Sequence, residues 1–575
     1  NPADTIRLWP NVLAGEKKWI DPFRGNADAA FNSYLVYELA ALKYFVGGLL
    51  ERARLELGDQ PLVANLLRML TVSGPLSGGG TLQVNLYGKV ALACDRRQDD
   101  FTGSIYVQGN YSGNVGGASM IAYHTNAIPD YSKLTVNMSR MTVTMDTWQR
   151  PEILRLANEA TLSDGGVIAL DTSALAGQSG TLALTDDDIV SPTFGLGHDG
   201  PGTLSLTGPL TKPLRIVTFG GVLRLTGDDP VTLGDVDVTG NRGSYSGVLE
   251  ISDTSSVALS LGKYISVGSR NLYETYSRPV LRFRDCTFAQ QRKDSGFYGG
   301  TAGILVGNRG NGIVEVKGGA DVTTTLQVGN TRNQNYGAGA VYQDGGKLTV
   351  VGGDNDSSSN DALFYLGKSS YGYCGVFGGT FELQGLGFIG NTADAQGVLD
   401  INGGTFVHSP HPKGPAGSHY LMIAAKNNAA LHVRNGGSYL EQSAFLIHSH
   451  NDSTANGEIT VEGAGSKFVS DAYTICMGYG ANTASSMISV SDGGLLQVRN
   501  IVAKGRCPVL NLDGGILRAS AANFLGWVHQ GKKVEFVTSG ECWENARQSG
   551  TLYVLGKLKL FIYSCGSIGN IRFQG

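Results

Sequence analysis

The side chains with the most chemical capacity in this chain are its histidines, cysteines, clustered acids and neighbouring aromatics. Six of the nine histidines fall in one stretch: His408, His411, His419, His432, His448 and His450. His448 and His450 stand two residues apart, a spacing that puts both on one face of a strand. With His432 supplied by a neighbouring coil, three imidazoles on one face would suit Zn²⁺ or Cu²⁺. The competing reading is a hydrogen-bonded histidine ladder, because no cysteine or carboxylate motif accompanies them at ligand spacing. The seven cysteines are thinly spread and include no C-x-x-C pair, which argues against zinc ribbons and thioredoxin-like chemistry. Cys476 and Cys507 lie 31 residues apart and Cys542 and Cys565 lie 23 apart. Each pair is a candidate disulfide between adjacent coils, with buried thiols as the alternative.

Acids cluster at Asp186-Asp187-Asp188 and at Asp354-Asn355-Asp356, with Asp361 nearby. A lyase would need carboxylates holding Ca²⁺ against a uronate and a basic residue, and a glycosidase two or three converging acids. Neither set assembles from the spacing, so solvated turns are the simpler reading. Phe364, Tyr365, Tyr371 and Tyr373 bracket a turn and are candidates for stacking on sugar rings, as an amphipathic ring can. Stacking between coils would use the same residues without a ligand. Gly385-Leu-Gly-Phe-Ile-Gly390 matches G-x-G-x-x-G by letter, but no helix follows to hold a pyrophosphate. No G-x-S-x-G, H-E-x-x-H or Walker pattern occurs, and nothing calls for a cofactor.

These residues sit in a chain of unusual composition. Of 575 residues, 82 are glycine, about twice the usual share, while charged residues make up only 16%. The apolar fraction of 41% is enough for a sizeable core, and the glycines do not fall every third residue as in collagen. A net charge of −4 without any basic run leaves no electrostatic footprint for nucleic acid. The most apolar stretch, 35–50, is broken by Glu38 and Lys43, so no transmembrane segment is expected. A first residue that is Asn1 rather than Met reads as a processed product or a piece of something longer.

Three regions follow from the patterning. Residues 1–70 carry good helix formers from Ala29 to Leu57 and again from Leu62 to Leu70, and are expected to form a helical cap or assembly element. From Thr71 the period becomes two, with short strands such as 81–87, 347–351 and 457–462, and no further amphipathic helix is expected. In 311–575 a strand repeatedly runs into one residue and a glycine pair. The instances are Lys317-Gly-Gly, Asp344-Gly-Gly, Phe377-Gly-Gly, Asn402-Gly-Gly, Asn435-Gly-Gly, Asp492-Gly-Gly and Asp513-Gly-Gly, with Glu462-Gly-Ala-Gly as a degenerate copy. Their first glycines are separated by 27, 33, 25, 33, 27, 30 and 21 residues. A turn at that interval suits one coil of a parallel β-helix, with glycine supplying positive φ. Roughly 16 coils of about 25 residues would stack to a rod of roughly 75 Å.

Leu76-Ser-Gly-Gly-Gly-Thr-Leu82, Val90-Ala-Leu-Ala93 and Asp100-Phe-Thr-Gly-Ser-Ile-Tyr-Val107 together resemble the passenger-associated β-strand repeat of bacterial autotransporters. Leu204–Leu210 with Gly221–Gly227 is a looser copy, and Gly397–Phe406 and Tyr371–Phe381 are similar to repeats of large surface proteins of that type. Together these cover about 70–570, and the resemblance implies an exported, right-handed parallel β-helix at or beyond a bacterial surface, with autotransporter-type repeats over 71–310 and glycine-pair turn repeats over 311–575. The closing Ile571-Arg-Phe-Gln-Gly575 follows only one or two alternating strands, where that family carries a C-terminal barrel.

The sequence therefore predicts a mainly β, right-handed parallel β-helix with a short N-terminal helical segment. Its expected role is that of a non-enzymatic structural or adhesive surface protein. Such a rod would make repeated contacts with glycans, host surfaces or copies of itself in fibres. The alternative is a polysaccharide lyase or glycoside hydrolase on the same scaffold.

Overall fold

A computed structural model describes residues 71–519 apart from internal segments, of which 110–117, 269–277, 292–302, 352–363 and 412–418 are the longest. Beyond 519 it describes only Glu535–Val537 and Tyr553–Val554. The helical segment expected over 1–70, the acids at 354–361 and Cys542 and Cys565 lie outside the described residues, as do the side chains of Cys507, His448 and His450. The fold is mainly β, and its strands pair in parallel from one repeat to the next, as in a β-solenoid. Among the described strands the one antiparallel pair is short, Gly240–Asn241 with Tyr245–Ser246. No described helix is long and apolar enough to cross a membrane.

The chain gathers into two compact units. The first takes in the chain up to Arg224 together with Val238–Leu249 and Arg270–Arg278. Its main column of strands runs through Lys89–Leu92, Ser119–Ala122, Arg140–Thr144, Val167–Asp171, Gly195–Asp199 and Leu210–Thr218. A second column joins Thr81–Asn85, Ser104–Gln108, Leu134–Asn137 and Thr161–Ser163.

This unit also contains an α-helix, Arg150–Glu159, that the period-two reading of the region did not anticipate. Pro151 opens it, where a missing N–H costs nothing. Ile153, Leu154, Leu156 and Ala157 then bury one face at helical spacing. Before it, Trp148 is buried and donates its indole N–H to the Ala122 carbonyl at 3.0 Å, anchoring the helix start to the sheet.

The second unit comprises Leu225–Asp237, Glu250–Ser269 and the chain from Pro279 onward. Three strand columns build it. The first joins Val280–Arg284 to the leading halves of Gly312–Thr324, Gly339–Val351 and Tyr371–Gln384, then Gln396–Asn402, Ala429–Arg434 and Asn456–Glu462. The second takes the trailing halves of the same long strands and continues through Thr405–Ser409 and Ser438–Glu441. The third joins Ile304–Val306, Leu326–Val328, Phe364–Leu366, Gly387–Ile389, Tyr420–Ile423 and Phe445–His450.

Alternation along each strand decides which side chains turn inward. In the first column Val314, Val341, Cys374, Leu399, Leu431 and Ile459 stand in register and are buried. In the second, Phe381, Phe406, Tyr439 and Phe468 form a buried stack with successive centroids 5.0, 5.4 and 4.3 Å apart. Each fully buried aliphatic or Phe side chain contributes about 1.5–3 kcal/mol relative to exposure, so the stack is a principal source of stability.

The glycine pairs lie between the first and second columns. Gly318, Gly379, Gly403, Gly436, Gly463 and Gly514 all have positive φ, with Asn435 and Asp492 sharing that conformation. A second left-handed corner follows the third column at Gly307, Gly329, Gly367 and Gly390, and at Ala424 on the next coil. The G-x-G-x-x-G match is part of this pattern, since Gly385 and Gly390 flank the strand Gly387–Ile389. That strand leads to another strand, Gln396–Asn402, and not to a phosphate-binding helix.

Two corner glycines separate conformational strain from collision. At Gly436, φ is 79° and an added Cβ would meet nothing within 4 Å. At Gly367, φ is 73° and the Cβ would collide with the Gln396 carbonyl. Gly436→Ala is expected to cost about 1–2 kcal/mol, the left-handed penalty alone. Gly367→Ala should cost clearly more, because backbone on the next coil must also move. Denaturant melts of the two variants side by side test this ordering.

Candidate binding surface

The residues singled out from the sequence do not come together as one site. His432 stands in register with Asp400 on one side and Thr460 on the other, in the first column. His448 stands opposite Ile423 and Met477, and His450 opposite Tyr479, in the third. The expected supply of His432 to the His448–His450 strand from a neighbouring coil is therefore corrected by the register. The imidazole Nδ1 of His432 instead lies 2.7 Å from the Thr460 hydroxyl. Among the described residues no group of His, Cys, Asp and Glu is arranged to hold a metal ion.

The disulfide expectation meets the same obstacle. Cys476 is buried and its register neighbours are Ile447 and Val502, whereas Cys507 lies opposite Ser485 in another column. A 31-residue interval thus carries the chain past the position above Cys476. Of the Asp186–Asp188 run, Asp186 accepts hydrogen bonds from the backbone N–H groups of Thr211 and Lys212, at 2.8 and 3.0 Å. Asp188 pairs with Arg150 and closes a capping box with Thr185, so these acids brace a turn.

The four aromatics divide. Phe364 is fully buried and meets Phe381 edge-on at 5.6 Å, so it belongs to the core and is removed from the sugar-stacking set. Tyr365 turns outward in the third column, stacks on Phe388 at 5.5 Å and is half-buried under Lys368. Tyr371 and Tyr373 lie on one face of the strand Tyr371–Gln384, at the first column, and there they join a surface.

That surface follows from ordinary alternation along the strand. Gln343 pairs with Val376 and Lys347 with Thr380, the same offset on both sides, so the local shift that sets Asp344 opposite Gly378 adds no residue to the ladder. Tyr371, Tyr373, Gly375 and Phe377 are spaced two residues apart and therefore share the outward face. Val376 stays buried while Phe377 turns outward with 39% of its surface exposed. Tyr342, on the preceding coil, is 37% exposed and lies 5.6 Å from the Tyr373 ring and 6.3 Å from Phe377. Tyr371 extends the patch at 44% exposed.

At its centre is Gly375, where a Cβ would fall 2.5 Å from the Phe377 ring and 2.8 Å from the Tyr373 hydroxyl. The missing side chain lets both rings lie down over the strand. The result is a shallow aromatic platform with hydroxyls at its edge.

A buried carboxylate fixes one side of it. The Tyr373 hydroxyl donates to Asp400 Oδ2 at 2.9 Å, and Arg434 donates through Nε and Nη2 to the two oxygens at 2.9 and 2.7 Å. Burial, with the bond to Asp400 and that residue's charge, raises the Tyr373 pKa, so the hydroxyl stays protonated and keeps donating. Asp400 is thereby a positioning residue for the ring. Sequence reasoning missed Tyr342, Phe377, Asp400 and Arg434. One signal was available: Phe377 is the single apolar residue preceding a glycine pair in the seven full repeats, whose other members are Lys, Asp or Asn.

A second titratable cluster lies inside the coils. His408 Nε2 is 2.8 Å from the Gly385 carbonyl, and Nδ1 is 2.7 Å from Glu441 Oε1, a close ion-pair contact not aligned as a hydrogen bond. Glu441 also accepts from the Tyr439 hydroxyl at 2.7 Å and from the Ser443 N–H at 3.0 Å. Burial pulls the His408 pKa down, but the Glu441 carboxylate and Gly385 carbonyl outweigh it, and the net shift is upward from 6.5. Both acceptors therefore favour the imidazolium.

Two outcomes follow. Because the folded pKa lies above the unfolded one, the stabilisation from His408 is complete below about pH 6.5 and is lost as pH rises through the folded value. The melting temperature should fall over that interval, and His408→Gln should flatten the fall. Asp400→Ala should cost about 1–2 kcal/mol in a denaturant melt, discounted because Arg434 is half-exposed, while Tyr373→Phe should cost about 1 kcal/mol or less. Comparison of the chain with protein-family models, with curated proteins and with solved structures found no match.

Proposed function

We propose that this chain is an exported structural or adhesive surface protein whose β-solenoid presents the Tyr342–Tyr371–Tyr373–Phe377 platform to a glycan. The observation that carries the reading is the cluster of four outward aromatics on two adjacent coils, with Tyr342 beside both Tyr373 and Phe377. Exposed aromatic area of this kind has a solvation cost that a partner relieves. A flat platform edged by hydroxyls matches a sugar ring, which has an apolar C–H face and a polar rim.

The carboxylate bonded to the platform, Asp400, is occupied by Tyr373 and Arg434, which leaves a single exposed acid, Asp344, at its edge and supports a binding role over the paired-acid chemistry of a hydrolase. The resemblance of 76–107 to autotransporter passenger repeats supports a location on or outside a bacterial surface, and in-register stacking supports repeated weak contacts along the coils. Self-association into fibres belongs to the same proposal.

The test is affinity electrophoresis of the full chain through gels carrying a panel of polysaccharides. Tyr342→Ala and Phe377→Ala should each weaken retention by about two- to tenfold, the range set by losing one aromatic contact. Undiminished retention in the double variant, with its fold verified by circular dichroism, would remove the platform from the function.

A further inference from the structure

Resting on that glycan reading, we infer that the platform takes an uncharged glycan chain and that Asp344 is the residue that turns acidic ones away. The cations around the platform are committed. Arg434 holds Asp400 through two hydrogen bonds. Arg282 lies 3.0 Å from Glu250 and 2.6 Å from Glu315. Lys317, the register neighbour of Asp344, lies 3.3 Å from Glu315, and Lys347 lies 3.0 Å from Glu382.

Asp344 itself is exposed and stands at the platform edge, since a Cβ on Gly378 would lie 3.7 Å from its Oδ1, directly after Phe377 in the chain. A uronate or sulfated sugar laid across Tyr342 and Phe377 would bring its anion towards this carboxylate with no uncommitted cation among these neighbours to receive it. Like charges facing across a binding surface discriminate between partners more strongly than added attraction does. A neutral pyranose meets no such opposition, and its stacking on the rings carries little ionic component.

The experiment uses the full chain in gels of neutral β-glucan, galactan or mannan and, in parallel, polygalacturonate, at low salt and at about 0.5 M salt, where charge effects are screened within a few ångströms. The expected result is retention by at least one neutral polymer, equal at both salt concentrations and weakened about two- to tenfold in Tyr342→Ala, as above. Polygalacturonate should not retain the wild type, and Asp344→Lys should acquire retention on it of at least twofold at low salt only. Wild-type retention by polygalacturonate that Tyr342→Ala weakens would overturn the uncharged class while leaving the glycan reading intact. A gain of nothing by Asp344→Lys would overturn the role of Asp344. Absence of retention in every gel would overturn the glycan reading and this inference with it.

Discussion

Apart from the short pair Gly240–Asn241 and Tyr245–Ser246, a described strand of this solenoid has no hydrogen-bonding partner close to it in sequence. Its N–H and C=O groups are satisfied by the coil before and the coil after, as when Val341 pairs with Cys374 and Cys374 with Leu399. Those partners are 33 and 25 residues away, so coil length varies while register does not. The constraint is met because the extra residues leave at loops and the chain is returned to register at the corners. Left-handed residues at Gly379, Gly403 and Gly436, and at Gly329, Gly367 and Gly390, make those returns. Buried backbone polar groups must be paired, so corners and ladders depend on one another.

Once register is set, like positions stack on like. Inside, this gives the ring stack from Phe381 to Phe468 and the aliphatic ladder of the first column. It also gives charge ladders such as Glu250–Arg282–Glu315–Lys317, in which the buried Glu250 is paired by Arg282 and the more exposed contacts each contribute little. The aromatic platform is an interruption of this regularity. An aromatic Phe377 where the neighbouring repeats carry Asp344 and Asn402, and a missing side chain at Gly375, convert one coil of a regular face into a surface with a distinct chemical character.

The buried His408–Glu441 pair is an exception of another kind. Two polar side chains occupy a column that elsewhere holds Leu383 and similar residues, and they remain there because each has partners: the Gly385 carbonyl for one, Tyr439 and Ser443 for the other. Such a pair costs desolvation and is retained only where its hydrogen-bonding needs are met together. It ties the interior of adjacent coils to the protonation of one imidazole.

The spacing of glycine pairs, the alternation of apolar residues and the low charge determined the mainly β class and a coil of 21 to 33 residues, because left-handed corners and two-residue periodicity are local demands that any one coil displays. They did not reveal the helix at Arg150–Glu159, whose amphipathic face is short and follows strands on the same apolar alphabet. Nor did they determine which side chains meet across coils. Cys476 with Cys507, and His432 with His448, look adjacent at an average period but lie in different columns, and Phe364 looks like a surface aromatic until its alternation is fixed by its neighbours. Shifting a strand by one residue exchanges its faces. Tyr371, Tyr373 and Phe377 share a face by alternation alone, but only the tertiary register decided that Tyr342, on the preceding coil, joins them.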